Sequence, residues 1–353
     1  MSNTYYGETL EEASARAELH GGPHEYGKVI EPQFKSKLVY DFVVDKPPSL
    51  RWIAQDLLGS NDLVMVTADP MVGKSWLVSH LACSLSSGRP FLGKFAVPSG
   101  GLAVIVDEEQ HMYEAWRRFR RLVDGYKYSA ADVNNVRYFN RPGLNIDADP
   151  QKFNAFFEHL KRTFGTAGTS AHARLVILDS LSRLHRTPEN DAVAMAYLLE
   201  RIRLLQYKLG CALVFIHHGR KAAVDWRGKT VDTDPSQAPR GSSDLRAVVD
   251  QHWYLRRVEN GRFNFIHDKH RTGPKPVEPF DVVLVDSGDG TRFDVEAATK
   301  PIGAGGLWAR ALPVVEKGVL ANLAPSKIHA ECKAQGISIS YEYCRKIIKK
   351  VTG

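Results

Sequence analysis

Leu63-Val64-Met65-Val66-Thr67-Ala68-Asp69-Pro70-Met71-Val72-Gly73-Lys74-Ser75-Trp76 decides the fold. Its apolar opening reads as a buried strand. Beyond Lys74, apolar residues at Leu77, Val78, Leu81, Ala82 and Leu85 follow helical spacing. The turn between them ends in Gly-Lys-Ser at the mouth of the helix, the arrangement of a phosphate-binding loop. In such a loop, backbone N–H groups surround a β-phosphate, the lysine neutralises β/γ oxygens and the serine hydroxyl ligates Mg²⁺. Lys74 and Ser75 are the candidates for those two roles. Asp69, Pro70, Met71, Val72, Gly73 and Trp76 are candidates for the remaining nucleotide contacts. Ala68 stands where the pattern usually begins with glycine, and Pro70 stiffens a normally Gly-rich loop.

Working outward, apolar runs alternate with helical patterns from Pro47 to about Ala297. The strand-like runs are Leu63 to Thr67, Leu102 to Val106, Leu175 to Leu178, Ala212 to Ile216, Val249 to Leu255, Phe263 to His267 and Val282 to Val285. Between them lie helical patterns over Tyr113 to Val123, Pro150 to Phe164 and Asp191 to Leu209. This alternation predicts an α/β domain on a mostly parallel sheet, with the closely spaced later strands as hairpins at one edge. Residues 1–46 read as a partly ordered arm, with a short helix over Leu10 to Leu19. The core spans 47–297, and the Gly/Pro-bearing stretch 298–306 reads as a linker.

The tail, 307–353, predicts helices over Trp308 to Leu320, Ser326 to Ala334 and Tyr341 to Val351, a helix-turn-helix-like unit. From Pro301 onward it holds eight Lys/Arg against three Glu, so a polyanion is its natural partner. Arg345, Lys346, Lys349 and Lys350 are the candidate DNA contacts on the last helix. A solvated helix in a packing or oligomerisation module fits the same charge.

With 353 residues the chain has room for one large domain plus small appendages. No run approaches the ~18 apolar residues of a membrane span, and Ser2 to Tyr6 lack a basic, apolar leader, so a cytoplasmic protein without membrane contact is expected. Cys83, Cys211, Cys332 and Cys344 form no CxxC pair, which argues against a zinc site or a disulfide framework.

Chemistry concentrates at strand ends, where α/β sheets bind ligands. Leu102 to Val106 runs into Asp107, Glu108 and Glu109. A carboxylate here could polarise an attacking water, with Glu109 the first choice and Glu108 the alternative. Leu175 to Leu178 runs into Asp179, as in a Walker B strand whose Asp orients Mg²⁺. Ala212 to Ile216 runs into His217 and His218, and His217 is the first choice as a polar sensor of nucleotide state.

The runs Leu175 to His185, Gly210 to His218 and Arg240-Gly241-Ser242-Ser243 together resemble the RepA-type plasmid replication helicases, a branch of the RecA/DnaB-like ring ATPases. The resemblance covers roughly residues 47–290. It implies a RecA-like P-loop core, ATP with Mg²⁺ as cofactors, a homo-oligomeric, hexameric ring, and translocation on single-stranded DNA. A replication initiator or primase is the kind of partner it implies. By this likeness Lys74 and Ser75 fall on the phosphate loop, Glu109 on the catalytic glutamate, Asp179 on Walker B and His217 on the sensor strand. Lys269-His270-Arg271-Thr272-Gly273-Pro274 is similar to an element whose Lys and Arg reach the γ-phosphate held by the neighbouring subunit. The polar stretch carrying Arg220, Lys221, Trp226, Arg227, Lys229 and Arg240 corresponds to loops lining the central channel, where basic residues hold phosphates and an aromatic stacks on a base.

Overall fold

A computed structural model describes residues 39–44, 50–68, 72–165, 172–189, 191–219, 244–273, 275–298, 303–335, 337, 339 and 341–352. The chain divides into two units, Met1–Ser49 and Leu50–Gly353. Of the first, a helix over Val39–Val44 is described; Leu10 to Leu19 lie outside the described residues.

The second unit is built on a nine-stranded sheet, flanked by a small two-stranded ribbon of β1 (Trp52–Ala54) and β2 (Leu58–Gly59). The sheet comprises β3 (Leu63–Ala68), β4 (Leu102–Asp107), β5 (Val136–Asn140), β6 (Ala173–Asp179), β7 (Ala212–His218), β8 (Gln251–Glu259), β9 (Arg262–His270), β10 (Phe280–Ser287) and β11 (Gly290–Ala297). Its spatial order is β11-β10-β9-β8-β3-β7-β6-β4-β5. From β5 to β8 every pairing is parallel, and from β8 to β11 every pairing is antiparallel. The phosphate-loop strand β3 is thus central, and β7 separates it from the Asp179 strand, the arrangement of a RecA-like core.

Parallel strands are joined by helices that cover both faces, so their side chains are buried on both sides and read as continuous apolar runs. The two faces separate with a period of two. Val64, Val66, Ile105, Ile177 and Val214 meet Leu77, Leu81 and Leu85 of α1 (Lys74–Ser87). Met65, Val104, Val176, Leu178 and Phe215 meet α3 (Pro150–Phe164) and α4 (Ala192–Leu209). Helix α2 (Met112–Tyr126) lies near the hairpin β10–β11 at close range. A Cβ on Gly125 would sit 2.2 Å from the Thr291 carbonyl oxygen, so only glycine permits that approach. Beneath it, His80 of α1 is fully buried. Its ring stacks on Tyr126 with centroids 4.1 Å apart, and its Nε2 accepts the Leu92 N–H at 3.1 Å. Burial pushes its pKa down to about 3.

A short helix, α5 (Asp244–Val248), precedes β8. The C-terminal part holds α6 (Gly303–Leu320), α7 (Pro325–Ala334) and α8 (Tyr341–Val351) around a small core of Val315, Ile328, Cys332, Cys344 and Ile347. Helix α6 begins at Gly303, inside the stretch expected as a linker, because Gly303 to Gly306 continue into the apolar helix instead of breaking it. All four cysteines are free and buried. No described helix is long and apolar enough to cross a membrane.

Candidate nucleotide site

Three strand ends and one helix start converge on a cavity of about 510 Å³. Gly73, Lys74 and Ser75 line it from the loop after β3, Glu109 from the loop after β4, Asp179 from the end of β6 and His218 from the end of β7. Of the loop itself, Asp69, Pro70 and Met71 lie outside the described residues. Val72, Gly73, Lys74, Ser75 and Trp76 all border the cavity.

Gly73 has φ +92, a left-handed conformation that a β-carbon would strain, and from it the chain enters α1 with no side-chain cap. No Gly73 side chain competes there for the first-turn N–H groups of α1. Lys74 Nζ lies 3.4 Å from the Ala68 carbonyl oxygen. Asp179 stands beside Ser75 on the cavity wall, and its Oδ2 is buried with no hydrogen-bond partner among the described residues. Burial, and then the nearby Asp107 charge, push the Asp179 pKa up to about 6. A buried carboxylate oxygen of this kind suits a cation, and Ser75 and Asp179 together offer the hard oxygen ligands that Mg²⁺ takes. The described residues thus fit nucleotide phosphates with Mg²⁺.

The three consecutive carboxylates after β4 have three different environments. Asp107 is fully buried: Oδ1 accepts the N–H groups of Glu109 and Gln110, both at 2.9 Å, and Oδ2 accepts the Tyr138 hydroxyl at 2.7 Å. Glu108 turns away from the cavity and accepts the N–H groups of Gly143 and Leu144, at 3.2 and 2.6 Å. Glu109 faces the cavity, accepting the Ser180 hydroxyl at 2.9 Å, with His218 Nε2 at 3.9 Å.

The pair of histidines separates by strand parity. His217 pairs with Thr67 across the β3–β7 ladder and is fully buried, whereas Ile216 and His218 line the cavity. His217, expected as the polar sensor of nucleotide state, is thus off the cavity wall, and the adjacent His218 borders it, because successive side chains alternate across a sheet.

Lys269 and Arg271 do not line the cavity. Strand β9 runs antiparallel to β8, His270 pairs with Gln251, and Gln251 pairs with Val64 at the start of β3. That point is on the order of 13 Å along the strand from Ala68, at about 3.3 Å per residue. Lys269 Nζ donates to the carbonyls of Arg246 and Ala247 at 2.6 and 2.9 Å, and Arg271 donates to Ala247 at 3.0 Å. Burial and the Arg271 charge lower the Lys269 pKa to about 8.

Sequence reasoning passed over Arg118. It is buried beside the loop, donating to the Ser75 carbonyl at 3.4 Å, to Ser79 Oγ at 3.2 Å and to Gln110, with Asp107 at 3.9 Å. It ties the start of α1 to the Glu109 loop. Also unforeseen are Arg257, Glu259, Gly261 and Arg262 of the β8–β9 hairpin, which line the same cavity.

The expected channel residues Arg220, Lys221, Trp226, Arg227, Lys229 and Arg240 lie outside the described residues. On α8, Arg345, Lys346, Lys349 and Lys350 are all exposed while Cys344 and Ile347 are buried.

Residues 30–224, more than half of the chain, match the family AAA_25, described as an AAA domain. The chain belongs to this family. Among solved structures, a DnaB-like replicative helicase, described with its interactions with primase, is similar at 14% identity and a TM-score of 0.49. The match covers 72% of this chain and 66% of that one, so this chain spans a little under two thirds of that helicase's length.

Proposed function

We propose that this protein is an ATP-driven translocase and helicase on single-stranded DNA, assembling as a homo-oligomeric ring and serving replication of a plasmid, phage or other mobile element. The observation that carries the reading is the convergence of Lys74, Ser75, Glu109 and Asp179 on one cavity while Lys269 and Arg271 sit at the opposite end of the sheet. A subunit built this way holds its own nucleotide and offers its basic pair to another's.

In the proposed reaction Lys74 and the first-turn amides of α1 hold the β- and γ-phosphates. Ser75 and Asp179 hold Mg²⁺, which when bound draws charge from the phosphate oxygens. Glu109, oriented by Ser180, takes the proton of the attacking water, and His218 lies close enough to register the change in charge at Glu109. Glu108 is committed to the loop amides, which favours Glu109 as the base. Lys269 and Arg271 of a neighbouring copy stabilise the transferring phosphoryl group; such trans-acting arginines contribute on the order of 10³ to 10⁵ in rate.

The exposed basic face of α8 favours a second reading, an ATPase whose nucleotide cycle switches assembly on a DNA site without unwinding. A replication initiator or primase as loading partner belongs to the first reading. The discriminating experiment measures ATPase rate and particle size with and without oligo(dT), together with unwinding of forked duplexes. Stimulated hydrolysis by a large particle with unwinding of a fork supports the helicase. Stimulated hydrolysis without unwinding on any fork design supports the switch, and hydrolysis indifferent to DNA removes both.

A further inference from the structure

A second cavity, of about 630 Å³, adjoins the nucleotide cavity and shares Trp76, Glu109 and Gln110 with it. Five arginines line it, Arg117, Arg118, Arg121, Arg141 and Arg183, against two glutamates, Glu109 and Glu114, and no lysine. Arg118 and Arg121 are committed to protein partners, Arg121 to Asp286, Ser287 and Thr291. The other three are not saturated. Arg141 donates to the Glu109 carbonyl at 2.6 Å and reaches His111 at 3.4 Å. Arg117 meets Glu114 at 3.5 Å with both side chains more than half exposed, and Arg183 is exposed without a side-chain partner among the described residues.

Beside these guanidiniums the start of α2 carries an aromatic platform. Tyr113 and Trp116 are 66% and 63% exposed, with centroids 6.5 Å apart and planes 21° from parallel. Arg117 lies over the Tyr113 ring at 5.9 Å, joining the platform to the cavity. Planar guanidinium forks suit phosphate oxygens, and exposed near-parallel rings suit unstacked bases. An acidic peptide would use the first feature and leave the second unexplained.

We infer that this arginine cavity and the Tyr113–Trp116 platform form a single-stranded nucleic-acid site, its backbone phosphates held by Arg117, Arg141 and Arg183. The inference rests on the translocase reading and places a strand contact directly against the hydrolytic carboxylate. Because Arg141 holds the Glu109 main chain, a phosphate drawing that guanidinium moves the segment bearing Glu109. Strand occupancy and hydrolysis are then coupled through one side chain.

The test uses the full chain carrying Trp116→Ala, Arg117→Gln and Arg183→Gln, three residues outside the nucleotide cavity. Fluorescence anisotropy with labelled oligo(dT) is read across a salt series, beside basal and oligo(dT)-stimulated ATPase rates and sedimentation. Expected are at least about a 10-fold loss of oligo(dT) affinity, a salt slope smaller by roughly 0.7 per arginine removed, and lost stimulation. Basal hydrolysis and particle size stay at wild-type values. Wild-type affinity and slope in the variant overturn the inference while leaving the translocase reading intact. A loss of affinity that accompanies a fall in particle size also overturns it, since the face is then a contact between copies. Wild-type protein that fails to bind oligo(dT) takes down both.

Discussion

The Ser180 hydroxyl donates a 2.9 Å hydrogen bond to Glu109 Oε2, while Glu108, one residue earlier, gives both of its carboxylate oxygens to loop amides. Two identical side chains thus acquire different chemistry from the amides and hydroxyls around them. Glu109→Gln is expected to bind ATP as the wild type does and to hydrolyse it at least about 100-fold more slowly, within the range of a lost general base. Glu108→Gln keeps an acceptor for the loop and retains most turnover. Single-turnover hydrolysis beside equilibrium nucleotide binding checks both, and the reverse ranking transfers the role to Glu108.

His218, not His217, borders Glu109. His218→Asn is expected to lower kcat about 10-fold with little change in the KM for ATP, since the residue touches Glu109 and not the loop. His217→Asn replaces a fully buried ring with a smaller side chain in a packed layer and acts through stability instead. Thermal melting and steady-state kinetics of the two variants separate these effects; a kinetic defect confined to His217→Asn contradicts the assignment.

Arg271→Ala is expected to retain ATP binding and to lose hydrolysis in the assembled state. Mixed with wild-type subunits it should depress activity below the wild-type fraction, because each variant subunit silences its neighbour's site. Activity proportional to the wild-type fraction across a titration argues for a site complete within one chain.

His80 sets an acid limit on stability. Its pKa is about 3 in the folded chain against about 6.5 unfolded. The unfolded state therefore takes up a proton first as pH falls below 6.5, and stability falls by up to about 1.4 kcal/mol per pH unit in that window. His267, also held near 3 by burial, adds to the slope. Urea unfolding at pH 7.5 and 5.5 should show the loss, and His80→Gln should flatten it even where the variant is weaker at pH 7.5. An unchanged pH dependence in that variant removes His80 as a cause.

Much of this was legible in the sequence, for a definite reason. Strands buried on both faces are uninterrupted apolar runs, so β3, β4, β6 and β7 stood out, together with the polar residues that end them. Strand β5, half-buried at the sheet edge with the sequence Val-Arg-Tyr-Phe-Asn, and β11, with charged residues among its apolar ones, gave no such run. The choice between His217 and His218 turns on parity, which a one-residue error in register inverts. Glu108 and Glu109 differ only in which amides the chain brings near them. Arg118 did leave a trace: Ala115, Arg118 and Leu122 share the buried face of α2 at helical spacing, and a guanidinium in that stripe calls for buried partners.

In the proposed reaction, the antiparallel strands that carry Lys269 and Arg271 to the start of β3 give the subunit a donor end and an acceptor end. Copies joined through such ends meet head to tail, and this kind of contact closes into a ring or continues as a helix. In the proposed reaction an open row of n subunits has only n minus one complete sites, so its last member is idle until the row closes. Turnover per subunit then rises with assembly length and reaches its ceiling at closure, which makes the rate itself a gauge of whether the circle is shut.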